Sequence, residues 1–139
     1  MKSLLFILAI TLSTATFAKE AIVESGFKAF KEGGANAAWP AWAKGGPLDG
    51  SKELIAQASQ FGTIAAYYGN YVSHEYISEI KLGDNNKVLY VIMNMDSGPL
   101  YGAFYLYKLP SGNWSVPNFM FHMQAQQVWP QCMYSVCGE

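Results

Sequence analysis

Apolar residues recur at helical spacing in the first half of the chain. Over Ala21–Glu32 they fall three and four positions apart, and Gly33–Gly34 ends the pattern. A second, short helix is predicted over Ala35–Ala43. The longest pattern covers Ser51–Tyr68, where the serine is of the type that caps a helix amino terminus. Three helical segments are therefore predicted before residue 70.

After residue 70 the pattern changes to short runs rich in Tyr, Val, Ile and Phe, separated by clusters of Gly, Pro, Asn and Asp. Because the connections are short, neighbouring strands should pair antiparallel as a meander. Helices followed by strands predict an α+β domain, in which the helices cover one face of a four-stranded antiparallel sheet. The predicted strands are Tyr71–Leu82, Lys87–Met95, Leu100–Leu109 and Trp114–Met123.

The amino terminus has the pattern of a secretory signal peptide. Lys2 is positively charged, Leu4–Leu12 is apolar, and Thr16 and Ala18 are the small residues of a cleavage site. The apolar run is shorter than the about 20 residues that a membrane-spanning helix needs. We therefore expect cleavage after residue 18. Residues 19–139 should then form one periplasmic or secreted domain without stable membrane insertion.

Charge and cysteine content narrow the expected partners. The chain has 9 basic residues, all lysines, against 10 acidic ones, for a formal net charge of −1. With no arginine and no basic stripe, nucleic acid is not expected as a partner. Cys132 and Cys137 predict, in an exported chain, a disulfide that ties down the carboxyl-terminal tail. No cofactor and no metal ion are expected, because no ligand spacing of the usual kinds is present.

The order of these elements resembles the nuclear-transport-factor-2-like superfamily, whose fold is cystatin-like. The stretches Ile64–Tyr71, Val88–Asn94, Gly98–Leu100 and Phe104–Lys108 are similar to those of small exported bacterial members. The resemblance implies a strongly curved sheet that wraps around the helices as a cone with a possible pocket. It implies a fold rather than an activity, because that fold hosts enzymes, binding proteins and assembly modules.

Strand alternation sorts the polar residues of the first strand by face. His74 and Tyr76 fall opposite Glu79 and Lys81, whose charges require water, so the first pair is predicted to point inward. His74 is then the candidate base of a pocket, with Tyr76 or Tyr68 orienting a substrate. The alternative is a core histidine that bonds a carbonyl or a tyrosine. A bulge in this strand would reverse the assignment.

Two sets of aromatic residues are candidate contact surfaces. The first would line the open end of the cone as a pocket for a small apolar or amphipathic ligand, or would instead fill the core. The second falls on the outer face of the sheet and predicts an interface with a protein partner or a second copy in a homodimer. The first set is Trp39, Trp42, Tyr67 and Tyr68, and the second is Tyr90, Tyr101, Tyr105, Tyr107 and Trp114.

The leading functional hypothesis is a non-enzymatic exported protein that binds a small molecule or a protein partner. The low charge density and the lack of a paired acid and base favour it. The first alternative is a pocket enzyme of isomerase, dehydratase or hydrolase type that uses His74 for proton transfer. The second is an interaction module that docks through its aromatic outer face. An open pocket beside His74 would favour a ligand binder or an enzyme, and a filled cone would favour the interaction module.

Overall fold

The computed structural model describes residues 20–133, which form two helices packed on an open four-stranded antiparallel sheet. The strand order is that of a simple meander, and the α+β prediction is confirmed. Every observed strand limit lies within two residues of the predicted one. The helices are α1 (Ala21–Ala43) and α2 (Lys52–Ala66), and the strands are β1 (Tyr71–Lys81), β2 (Asn86–Met95), β3 (Gly98–Lys108) and β4 (Trp114–His122).

Both ends of the chain lie outside the described residues. The signal peptide over residues 1–18 and the Cys132–Cys137 bridge therefore stay predictions; Cys132 itself is exposed. Within residues 20–133 no helix is both long enough and apolar enough to cross a membrane.

Helix α1 consists of two helical segments joined at Gly33–Gly34, where its predicted break is found. Gly34 adopts φ +64°, a backbone conformation that residues with a side chain rarely take. Beyond the break, Trp42 lies against Gly26 and donates a hydrogen bond from its indole Nε1 to the Val23 carbonyl at 2.9 Å. The two segments of α1 are thus tied to each other by one side chain.

Aromatic rings fill the space between the helices and the sheet. Trp42 is 0% exposed and packs edge-on against Phe27 and Phe104, while Trp39 packs against Phe61 and Phe119. The two tryptophans therefore belong to the core and form no open wall. Helix α2, whose amino terminus is capped by the Ser51 side chain accepting from the Leu54 amide at 3.1 Å, closes this core from one side.

Register shifts in two strands reverse the predicted faces of several residues. One shift in β1 lies between Tyr71 and Ser73 and another between Tyr76 and Ser78. A bulge moves every following side chain to the other face. Glu79 consequently pairs with the core residue Leu89 and points inward, so the prediction that it faces outward with Lys81 was wrong.

The same correction applies to Trp114. The pairing of β3 with β4 shifts register between Tyr105 and Tyr107. Trp114 pairs with Lys108 beyond this shift, and its side chain packs against the main core. Trp114 therefore does not share the outer face with the tyrosines, as strand alternation had predicted.

The carboxyl-terminal segment covers much of the outer face of the sheet. Val128 and Trp129 pack there against Tyr90, which is buried. The Trp129 indole also donates to the Gly102 carbonyl at 3.0 Å and meets Tyr101 edge-on at 5.0 Å. Tyr105 is partly buried in this cluster, and Tyr107 remains 40% exposed. The homodimer was predicted because these aromatic residues needed to be buried. The carboxyl-terminal segment buries part of them within one chain, and the homodimer stays a prediction.

The contact between Gly26 and Trp42 generates a stability prediction. A Cβ at position 26 would lie 1.9 Å from Trp42 Nε1, so Gly26→Ala must displace the indole and should destabilise the fold by about 1–3 kcal/mol or more. Gly62→Ala is the control, because a Cβ there meets only Ala35 at 4.0 Å, and it should stabilise helix α2 by up to about 1 kcal/mol. Chemical denaturation measures both, and equal midpoints would contradict the close packing.

Candidate functional site

His74 lies at the centre of a polar cluster between β1 and the first turn of α1. Its ring stacks on Phe27 with centroids 3.9 Å apart, and its side chain is 15% exposed. Its Nδ1 lies 2.6 Å from the Tyr71 hydroxyl, and its Nε2 lies 3.0 Å from Glu24 Oε1. His74 therefore links the helix to the strand from the inner face, which is where alternation predicted it.

The two partners of His74 fix the positions of its protons. An ionised carboxylate only accepts hydrogen bonds, so Nε2 must carry the hydrogen that is donated to Glu24. In the neutral ring Nδ1 is then an acceptor, and the Tyr71 hydroxyl donates to it. Burial raises the pKa of Tyr71, and the negative charge of Glu24 raises it further, so this hydroxyl keeps its proton as a donor. The result is a directed chain from Tyr71 through His74 to Glu24.

Tyr76 completes the cluster without joining the hydrogen-bonded chain. Its ring meets His74 edge-on at 5.5 Å, and its buried hydroxyl has no hydrogen-bond partner of accepted geometry among residues 20–133. Burial raises the pKa of Tyr76, and the nearby Glu24 carboxylate raises it further. Tyr76 is thus a neutral residue at physiological pH.

A cleft of about 290 Å³ opens beside this cluster, where the break in α1 faces the end of α2. Tyr71 belongs to both features, since it lines the cleft and contacts His74. The wall is built from residues with small side chains or none, Lys31 and Asn70 supply its polar side chains, and aromatic and thioether groups add apolar surface. The lining residues are Phe30, Lys31, Gly34, Ala35, Gly62, Ala65, Ala66, Gly69, Asn70, Tyr71 and Met95.

Asp96 holds the loop at the edge of the cleft. Its Oδ2 accepts from the backbone amide of Asn70 at 2.8 Å and from the Asn70 side chain at 2.9 Å. Gly69 has φ +85°, and a Cβ there would lie 2.7 Å from the Asp96 Cβ, so only glycine fits this approach. The cleft therefore has one edge with a fixed backbone.

The structure does not bring the predicted pocket aromatics together. Trp39 and Trp42 are in the core, whereas Tyr67 is 83% exposed and Tyr68 packs partly buried against Gly98. His74 and Tyr76 are neighbours on the inner face, as predicted, and the tyrosine that bonds the imidazole is Tyr71. That Tyr76 or Tyr68 orients a substrate stays a prediction. Within residues 20–133, no group of three His, Cys, Asp or Glu side chains is arranged to hold a metal ion.

Sequence reasoning missed Glu24 and Tyr71. Glu24 and Phe27 lie three residues apart and so share one face of α1, which was a usable signal. The sequence held no such signal for Tyr71, because a residue three positions from His74 belongs on the opposite face of a regular strand. Only the register shift between Tyr71 and Ser73 brings it to the same side.

Comparison of the chain with protein-family models, with curated proteins and with solved structures finds no match.

The hydrogen-bonded chain predicts the tautomer of His74. At a pH where the imidazole is neutral, ¹⁵N NMR should show a protonated Nε2 and an unprotonated Nδ1 that accepts a hydrogen bond. Tyr71→Phe should move the Nδ1 resonance toward that of a free acceptor, and Tyr107→Phe should leave it unchanged. A protonated Nδ1, or rapid averaging of the two tautomers, would contradict the assignment.

The orphan hydroxyl of Tyr76 predicts an effect at alkaline pH. Its pKa is higher in the folded chain than the unfolded value of about 10, so the unfolded state ionises first and stability falls as pH rises above about 10. Tyr76→Phe should therefore lose less stability there than the wild type does. At neutral pH the variant should be unchanged or more stable by about 1 kcal/mol, because a buried hydroxyl without a partner is removed.

The measurement is the free energy of unfolding across the alkaline range, with Tyr67→Phe as the exposed control. Part of the alkaline loss should persist in the variant, because burial also raises the pKa of Tyr71 and of Tyr90. Superimposable curves for wild type and Tyr76→Phe would show that folding does not raise the pKa of Tyr76, and would contradict the prediction.

Proposed function

We propose that the protein is exported and acts as a non-enzymatic binding protein, which takes a small amphipathic molecule into the cleft at the break in α1. The observation that supports this best is the contrast between a core filled by aromatic rings and an open cleft of about 290 Å³ beside Tyr71. The cleft is close to the lower end of the size range of small-ligand sites, roughly 300–1,000 Å³. The resemblance to the nuclear-transport-factor-2-like superfamily remains a prediction about its ancestry.

The lining favours a ligand with an apolar part and one anionic or polar group. The partly exposed Tyr71 offers most of the apolar contact surface, because Phe30 and Met95 are buried, and glycine and alanine let a ligand approach the backbone closely. Lys31 supplies the one charged side chain among the lining residues. A carboxylate on the ligand would pair with it at the exposed edge.

The test uses 4-phenylbutyrate and its neutral analogue 4-phenylbutan-1-ol as probes, followed by amide chemical shifts. Both should perturb Gly34, Gly62 and Gly69, and the anion should bind roughly two- to fivefold more tightly, as an exposed ion pair allows. Ala66→Leu extends an exposed side chain into the cleft and should weaken binding at least tenfold, about 1.4 kcal/mol. Ala56→Leu, on an exposed position of the same helix that does not line the cleft, is the matched control. Amide chemical-shift changes that do not include the three glycines would reject the site. An Ala66→Leu variant that binds as tightly as the wild type would also reject it.

A proton-transfer enzyme is the second candidate, and the chain from Glu24 through His74 to Tyr71 favours it. Tyr71 lines the cleft while its hydroxyl donates a hydrogen bond to His74, an arrangement in which the imidazole could take the proton as a bound molecule reacts. The variant Tyr71→Phe separates the two functions. In both cases the affinity for phenylbutyrate should stay within about threefold, because the ring stays, and only an enzyme would in addition lose turnover.

A further inference from the structure

Trp114 lies at the end of the sheet that carries the β1–β2 and β3–β4 turns. It does not line the cleft at the break in α1. A second cleft of about 360 Å³ opens beside it. Register places the lining residues together, since Lys81 pairs with Lys87 and Lys108 pairs with Trp114. A third cleft of about 300 Å³, lined by Ile22 and Asn113 among others, shares only Trp114 with the second. Trp114 therefore borders both clefts.

A buried lysine with two carboxylate partners contacts the Trp114 indole and restrains its position. Lys87 Nζ lies 4.4 Å from the centroid of the Trp114 ring and makes a cation–π contact. Lys87 is only 6% exposed, and its ammonium is paired with Glu20 and, at 3.4 Å, with Glu79. An aromatic surface fixed in this way loses little conformational freedom on binding, which favours affinity. The ammonium covers part of the ring, the residue also packs against the main core, and its partly exposed portion borders the cleft.

The side chains around this indole carry both signs of charge and an amide. Glu79 and Asp84 are acidic, Asn86 is neutral, and the basic side chains are Lys81, Lys87 and Lys108. A simple anion would meet repulsion from the two acidic groups, and a simple cation from the three basic ones. A neutral polyhydroxyl ring meets none, because each hydroxyl donates to a carboxylate and accepts from an ammonium or an amide. The C–H face of such a ring is apolar and suits stacking on an indole, which combines an apolar surface with a polar edge.

We propose that this end of the sheet is a carbohydrate-binding site, which takes one or two pyranose units of a neutral glycan with Trp114 as the stacking platform. The site is separate from the cleft at the break in α1, so neither proposal depends on the other. Its volume lies within the range of small-ligand sites. The absence of arginine from the chain agrees with a ligand that carries no phosphate or sulfate.

The test titrates maltose, cellobiose and N,N′-diacetylchitobiose against the protein while the indole N–H resonance of Trp114 is followed by NMR. At least one disaccharide should shift this resonance and the backbone amides of Asp84 and Asn86, leaving Gly34 and Gly62 unmoved. Trp114→Ala should lower the affinity at least tenfold. Tyr107→Ala removes an exposed aromatic on the outer face of the same region and should leave binding unchanged.

Two further variants keep the proposal falsifiable if Trp114→Ala fails to fold. Trp114→Phe keeps a smaller ring and should bind with intermediate affinity, and Asp84→Ala removes an exposed acceptor and should weaken binding severalfold. No shift with any of the three disaccharides, or a shift confined to the cleft in α1, overturns the proposal. Tighter binding of glucose 6-phosphate than of glucose would also overturn it, by showing an anion site.

Discussion

The fold depends on the contact between the Trp42 indole and Gly26. Because Gly26 has no side chain, the ring can lie directly on the backbone of α1 and donate its indole hydrogen to the Val23 carbonyl. That contact packs the second segment of α1 against the first, across the break at Gly33–Gly34. The same ring then contacts Phe104 and Phe119 on the sheet. One side chain thus joins both helical segments and two strands, and the other core rings pack around it.

A core filled in this way leaves the interior without room for a ligand. Trp39, Trp42 and the phenylalanines occupy the space that a cone-shaped pocket would need. Open volume remains where regular structure ends, at the break in α1 and at the turns of the sheet. Interiors of proteins pack at the density of organic crystals, so a small domain with many large rings keeps its open volume at the margins. The residues that line the two proposed sites accordingly lie near the ends of helical segments and strands.

The sequence predicted what local chemistry determines. Glycines at 33 and 34 ended a helix, Ser51 capped the next one, and turn residues set the strand limits to within two positions. The two register shifts in β1 were not predictable, because no residue there marks one. The shift in β4 had a signal in Pro117, since proline inside a strand is confined to edge strands and bulges. Each shift changed which side chains meet: one brought Tyr71 to His74, and another turned Glu79 toward Lys87. The fold class was therefore predictable from the spacing of apolar residues. Which side chains meet around His74 and Lys87 depends on strand register, which the sequence does not reveal.

The first turn of α1 and the inner face of β1 form a polar contact inside an otherwise apolar interface. Glu20 and Glu24 are four residues apart, so they lie on the same side of the chain as it enters the helix. Glu20 pairs with the buried Lys87, and Glu24 with His74, while both carboxylates raise the pKa of Tyr76 between them. A buried ion pair such as that of Glu20 with Lys87 contributes little net stability compared with apolar packing, but removing one partner is costly because the other charge is left uncompensated. Such pairs admit few alternative arrangements. This contact therefore fixes the position of α1 along β1, and with it the separation between the cleft at the helix break and the cleft beside Trp114.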